Sequence, residues 1–307
     1  MMKNLKLKLA FIGVLICSST LYSQGFYLTA GGGYAFTMNG QTGWEMSSTE
    51  EYINDNVNNL YSSTFTNESV PLSYGKGLNF DVAIGYKFNE FIAGEIGFSY
   101  LLGGKTTIEE QRTVKNIYST HTTETNFKKT ATRYSQMFRL IPSVILSPNF
   151  EVFNPYLKVG AVLGFGSIYY EETSESTIKS SQPITPPIPP TTSALSSTSN
   201  GGMAFGFQGA FGLEYKMWDA ISLIGEVNYI GMSYAPKKSV KTKWEENGID
   251  KLTNATVKQK ETEYVDERIY SLNDYNEDEP NQQLSISEPF SSLGFKLGVI
   301  FNFRDSK

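Results

Sequence analysis

The charged residues of this chain that could do chemistry stand one at a time in apolar surroundings. Asp81, Glu95, Arg139, Lys158, Glu214, Glu226 and Lys296 each lie inside a run of alternating large apolar and small residues, four acids against three bases. Two carboxylates brought face to face would make an acid–base pair or one step of a proton path. The near balance of signs favours ion pairs instead, because a lone charge in a confined apolar space is costly. Imidazole-dependent nucleophilic chemistry has a single candidate, His121 in the segment YSTHTTET. Its hydroxyl neighbours and Glu124 are there by composition, and it reads as an exposed loop imidazole. With one Cys (Cys17) and one His in 307 residues, zinc, iron–sulfur and Cys/His-nucleophile schemes lack their ligands. A formal charge of −5, from 26 basic and 31 acidic residues, offers no basic footprint for nucleic acid. Catalytic residues, metal ligands and cofactor-binding residues are therefore all expected to be none.

The elements that must position the seven charges are strands. Eight stretches alternate with period two: Gly25–Thr37, Lys76–Phe88, Phe91–Gly103, Arg133–Leu146, Pro155–Tyr169, Met203–Met217, Ile221–Tyr234 and Phe290–Phe303. In LNFDVAIGYKF, residues Leu78, Phe80, Val82, Ile84, Tyr86 and Phe88 share one face, while Asn79, Asp81, Ala83, Gly85 and Lys87 share the other. Helical spacing does not produce that pattern. The connections themselves alternate between long (residues 38–75, 104–132, 170–202 and 235–289) and short (89–90, 147–154 and 218–220). Four long loops at one end and three tight turns at the other describe an antiparallel up-and-down meander of even strand number. The long connections are rich in Thr, Ser, Asn and acids, include the proline-dense QPITPPIPPTT, and read as solvated, mobile segments.

Volume decides which face points out. The apolar faces of the eight stretches carry about 40 bulky side chains, whereas the interior of an eight-stranded barrel holds on the order of a dozen. They must face outward, and a surface that apolar is at home only in lipid. The opposite face carries the seven charges among small residues such as Gly31, Gly33, Gly97, Gly164 and Gly298, as a narrow interior requires. Aromatics such as Tyr34, Phe36, Tyr86, Tyr215 and Trp218 cluster near the stretch ends, where headgroups would lie.

The N-terminus reads as an export signal: Lys3, Lys6 and Lys8, nine residues from Leu9 to Cys17, then Ser23 before Gln24. No later run reaches the roughly 18 apolar residues of a membrane-spanning helix. The expected organisation is a signal peptide at 1–23 and a barrel domain at 24–307. The fold class is all-β: an eight-stranded antiparallel up-and-down transmembrane β-barrel with four long outer loops and three short periplasmic turns.

Together with the last stretch, SSLGFKLGVIFNF, these features resemble the small outer-membrane β-barrel superfamily of OmpA-, OmpX- and OmpW-like proteins, in a Bacteroidetes-type form. The resemblance implies a Gram-negative outer-membrane location, with membrane lipid and the barrel-assembly machinery as partners. It also implies an assembly signal in Phe295, Leu297, Val299, Phe301 and Phe303, from which the tail Arg304–Lys307 is a departure. The expected function is non-enzymatic, with a side-chain-filled, ion-paired interior. The long loops would meet an unknown surface ligand in adhesion, surface interaction or envelope structure. The alternative implied by OmpW-like barrels is a narrow channel for small or apolar solutes.

Overall fold

The computed structural model describes residues 25–38, 46–183, 186–268 and 276–303. The expected signal peptide and the tail from Arg304 lie outside them. The first half of the described chain holds β1 (Gly25–Thr37), β2 (Met46–Asp55), β3 (Leu60–Ser69), β4 (Gly77–Lys87), β5 (Ile92–Gly103), β6 (Thr106–Ile117), β7 (Thr122–Leu146) and β8 (Phe153–Ser180). The second half holds β9 (Thr191–Asn200), β10 (Ala204–Trp218), β11 (Ile221–Tyr234), β12 (Lys238–Glu246) and β13 (Ile249–Asp250). A one-turn helix α1 (Val257–Lys260) follows, then β14 (Glu261–Val265), β15 (Asn281–Leu284), β16 (Glu288–Pro289) and β17 (Ser292–Asn302).

Eight of these strands pair in a circuit. β1 pairs with β4, β4 with β5, β5 with β7, β7 with β8, β8 with β10, β10 with β11, β11 with β17, and β17 again with β1, every pairing antiparallel. Such closure leaves no strand edge unpaired around the ring, the condition for a sheet placed in hydrocarbon. Each of these strands covers one of the eight alternating stretches to within a few residues, β7 and β8 extending well beyond theirs, and the side chains sort as the volume argument requires. Phe80, Phe207 and Leu297 are 53 %, 57 % and 60 % exposed on the outer face, whereas Arg139 and Glu226 on the inner face are 0 % and 1 % exposed. Ring contacts on the outer face gather near the strand ends, as between Phe26 and Tyr86 (5.0 Å) and between Phe153 and Tyr215 (5.0 Å).

The long connections depart from expectation. Nine further strands lie in them, so the described chain has seventeen strands and not eight. β7 and β8 are 25 and 28 residues long and, apart from a break at Ile141 and Pro142, pair from Leu146↔Leu157 to Thr123↔Ser180, far beyond the end of their apolar alternation. At about 3.4 Å per residue, a 25-residue strand far exceeds the roughly 25 Å apolar band of a membrane barrel. Their polar extensions serve as a template. β6 pairs with β7, β2 runs parallel to β6, and β3 closes a hairpin on β2. On the other side β9 pairs with β8, β12 with β9, and β14 with β12. The result is an open sheet standing on the long-connection end of the ring. Its residues are Thr-, Ser- and Tyr-rich and suited to strands, but both sheet faces are wet, so no apolar alternation announces them. The proline-dense segment also joins this sheet at its end, where Thr191 and Thr192 pair with Ser176 and Glu175.

Inside the ring, beneath the open sheet, lies an apolar cluster. Leu101, Met137, Ile141, Val162, Ile230 and Met232 enter it from the strands, and Leu72, Tyr74 and Phe290 from the segments preceding β4 and β17. Phe290 stacks on Tyr74 (5.5 Å) and meets Tyr234 edge-on (5.7 Å). The Tyr234 hydroxyl donates to Gly166 O (2.8 Å) or Gly201 O (2.7 Å), and Ser73 Oγ donates to Ser291 O (2.6 Å). This plug fills one end of the interior, and the charged residues stand between it and a cavity at the short-turn end.

Candidate functional site: the ionic interior of the ring

Inward parity on successive strands brings the charged residues to one space. Lys158, on β8, is at its centre: its Nζ lies 2.8 Å from Glu95 Oε1 on β5 and 3.3 Å from Glu226 Oε2 on β11. Two phenols complete the network. Tyr27 on β1 donates to Glu95 Oε2 (3.4 Å), and Tyr156 on β8 donates to Glu226 Oε2 (3.1 Å). A second pair sits toward the plug, with Lys296 Nζ 4.0 Å from Asp81 Oδ2.

The other two charges are held differently. Arg139 is wholly buried and donates from Nη2 to Asn79 Oδ1, while its Nε and Nη1 meet no acceptor among the described residues. Glu214, toward the short-turn end, accepts from Asn154 Nδ2 (3.3 Å) through Oε2. The structure thus gathers Glu95, Lys158 and Glu226 into one cluster and Asp81 with Lys296 into another. It places Arg139 and Glu214 in amide contacts.

Sequence reasoning placed Asn79 on the face of Asp81 without giving it a role, left out Tyr27 and Tyr156 although both have the inward parity of the charges, and assigned Asn154 to the short connection 147–154. The two phenols also explain two glycines. Tyr27 is directly opposite Gly85, and Tyr156 opposite Gly212. A Cβ at Gly85 would stand 1.9 Å from Tyr27 Cζ, and one at Gly212 would stand 2.1 Å from Tyr156 Cζ. Each glycine vacates the volume that its cross-strand tyrosine occupies, which is how a slim ring encloses two aromatic rings.

This arrangement suits fixed neutralisation better than turnover. Each acid of the central cluster is already engaged by an ammonium and a phenol, so none is a free base beside a nucleophile. His121 sits in the turn between β6 and β7, stacked on Tyr118 (4.8 Å) and 3.0 Å from Thr120 Oγ1, remote from the ring in the pairing order. Among the described residues no three His, Cys, Asp or Glu side chains are grouped to hold a metal ion. The residues expected to carry the assembly signal lie along β17 and just past it: Phe295, Leu297, Phe301 and Phe303 are exposed outward, and Val299 is half-exposed.

A closed antiparallel ring that is apolar outside and ion-paired inside defines the class of membrane β-barrel domains. The chain belongs to the outer membrane protein beta-barrel domain family, whose profile matches residues 9–258. Among solved structures it is similar to the crystal structure of Acinetobacter baumannii CarO2, at 13 % identity and a TM-score of 0.27, over 90 % of this chain and 99 % of that one. No curated protein matches it in sequence.

Proposed function

We propose that this is a non-enzymatic outer-membrane protein whose eight-strand circuit spans the bilayer as a filled barrel and whose open sheet presents a binding surface outside the cell. The observation that carries this reading is the β7–β8 ladder, which beyond a break at Ile141 and Pro142 runs unbroken from Leu140↔Leu163 in the apolar zone to Thr123↔Ser180 in the polar sheet. A scaffold rooted that way holds its outer surface at a fixed distance from the membrane. Loops that only closed hairpins would be far shorter. Adhesion, contact with a surface ligand and envelope structure all use such a surface.

The channel reading has less support. The plug around Phe290 and the Lys158 cluster occupy the interior in succession, and tyrosine rings fill the space beside Gly85 and Gly212. A decisive test replaces residues 46–69, 106–132, 169–200 and 238–284 by short turns. Heat-modifiable gel mobility first verifies that the barrel closes, and intact cells are then compared in surface attachment and agglutination. Loss of a surface phenotype with a closed barrel supports the proposal. An unchanged phenotype with the sheet removed refutes it.

A further inference from the structure

The outer sheet ends in two different ways. On one side its last strand is β15, four residues long behind Pro280 and paired in parallel with β14. Short edge strands and prolines are how native sheets keep their edges from recruiting another chain. On the other side stands β3, with all ten residues exposed and paired with β2 alone among the described residues. Its sequence, LYSSTFTNES, holds no Pro, Lys or Arg, and Glu68 is its one charge. Tyr61 and Phe65 are 76 % and 54 % exposed on one face, where Phe65 meets Tyr52 of β2 edge-on (5.4 Å). The outer side of β3 is thus an unguarded row of backbone donors and acceptors about 30 Å long.

We propose that this edge docks a second copy of the chain: β3 of one copy pairs antiparallel with β3 of the other, and two outer sheets become one. This pairing rests on the reading of the outer sheet as a contact surface outside the cell and names that surface's partner. Residues opposite each other in an antiparallel pair share a face, so a two-fold must set like parity against like parity. Centred on Phe65, it sets Phe65 against its own copy, Thr64 against Thr66, Ser63 against Asn67, Ser62 against Glu68 and Tyr61 against Ser69. No like charges then oppose, and the two Phe65 rings, each beside a Tyr52, form an aromatic row across the junction. The strand directions fix where the second copy sits. β6 is antiparallel to β7, β2 parallel to β6 and β3 antiparallel to β2, so β3 runs with β7, from the tip of the sheet toward the ring. A two-fold that makes two β3 strands antiparallel is perpendicular to the sheet and points the two rings in opposite directions. The copies therefore stand in facing membranes, and the contact closes at two chains, one from each cell.

The test folds the full chain into phosphatidylcholine vesicles and follows their clustering by light scattering. Heat-modifiable gel mobility verifies a closed barrel in every preparation, and cutting by external protease verifies that the sheet faces outward. Vesicles carrying the parent chain should cluster, and empty vesicles should not. Phe65→Lys and Phe65→Glu each set like charges face to face across the two-fold, and each should abolish clustering. Mixing the Phe65→Lys vesicles with the Phe65→Glu vesicles should restore it, which a folding defect in β3 could not do. Parent vesicles that stay dispersed overturn the proposal. So does clustering that survives in both variants, and so does a mixture that stays dispersed. In intact cells, agglutination that is lost with the sheet but kept in Phe65→Lys overturns self-pairing and leaves the surface reading standing.

Discussion

Replacing Lys158 by Met removes the one cation that two buried carboxylates share. Methionine nearly matches the lysine stem in volume, so the packing around Tyr156 and Gly160 is kept and the change is electrostatic. Glu95 Oε1 loses a partner at 2.8 Å and Glu226 Oε2 one at 3.3 Å, and each keeps only a phenol. Removing one partner of a buried ion pair costs about 3–5 kcal/mol. For a domain of this size that lowers the transition by about 6–20 °C. The assay is the midpoint of folded-band loss on heating in detergent, with Lys158→Met compared with the triple variant Lys158→Met, Glu95→Gln, Glu226→Gln. The triple variant removes the stranded charges and should recover most of the loss, because neutral amides at these positions still reach the two phenols. A single variant melting within about 2 °C of the parent refutes the reasoning. So does a triple variant no better than the single one.

Gly85→Ala should destabilise by about 1–3 kcal/mol through overpacking against Tyr27, read by the same melting assay, and Tyr27→Leu in the same chain should relieve it. Phe290→Ala should loosen the outer plug, so that planar bilayers show ion conductance absent with the parent; a silent variant that folds counts against the plug as the seal. At the tip of the β2–β3 hairpin, the Asn58 side chain and the Asn58 and Val57 amides hold the Asp55 carboxyl below its usual value of 3.8. A depressed folded value contributes stability that is complete above 3.8 and is lost as pH falls toward the folded value. Protease cutting at 55–60 should therefore stay constant from neutral pH down to about 4 and rise only in stronger acid. Asp55→Ala should cut readily at every pH.

Much of the ring was legible because its signal is local and repeated. Leu78, Phe80, Val82 and Ile84 alternate with Asn79, Asp81 and Ala83, and each such strand states its own two faces without reference to any other. The count of bulky side chains then assigns those faces to outside and inside. The outer sheet was not legible for the complementary reason. β3 is LYSSTFTNES with all ten residues exposed, and β9 is TTSALSSTSN, half-exposed between neighbours. Neither has an apolar face, so nothing in its pattern separates it from a solvated loop; the β7–β8 ladder organises them by offering unpaired backbone groups to the next strand. The apolar plug was missed because Met137, Val162 and Met232 stand singly among small and charged residues of the inward parity, and only the stagger of the strands brings them together.

Composition and periodicity alone determined that this chain is built of strands, that its apolar face meets lipid, and that seven charges are turned inward. Which charge meets which was decided only by the tertiary structure. Parity is a property of neighbours along one strand, whereas the height of a residue inside the ring depends on the stagger of each strand against the next, summed around the circuit. That stagger sets Lys158 between Glu95 and Glu226, pairs Asp81 with Lys296, and leaves Glu214 facing a cavity with Thr29.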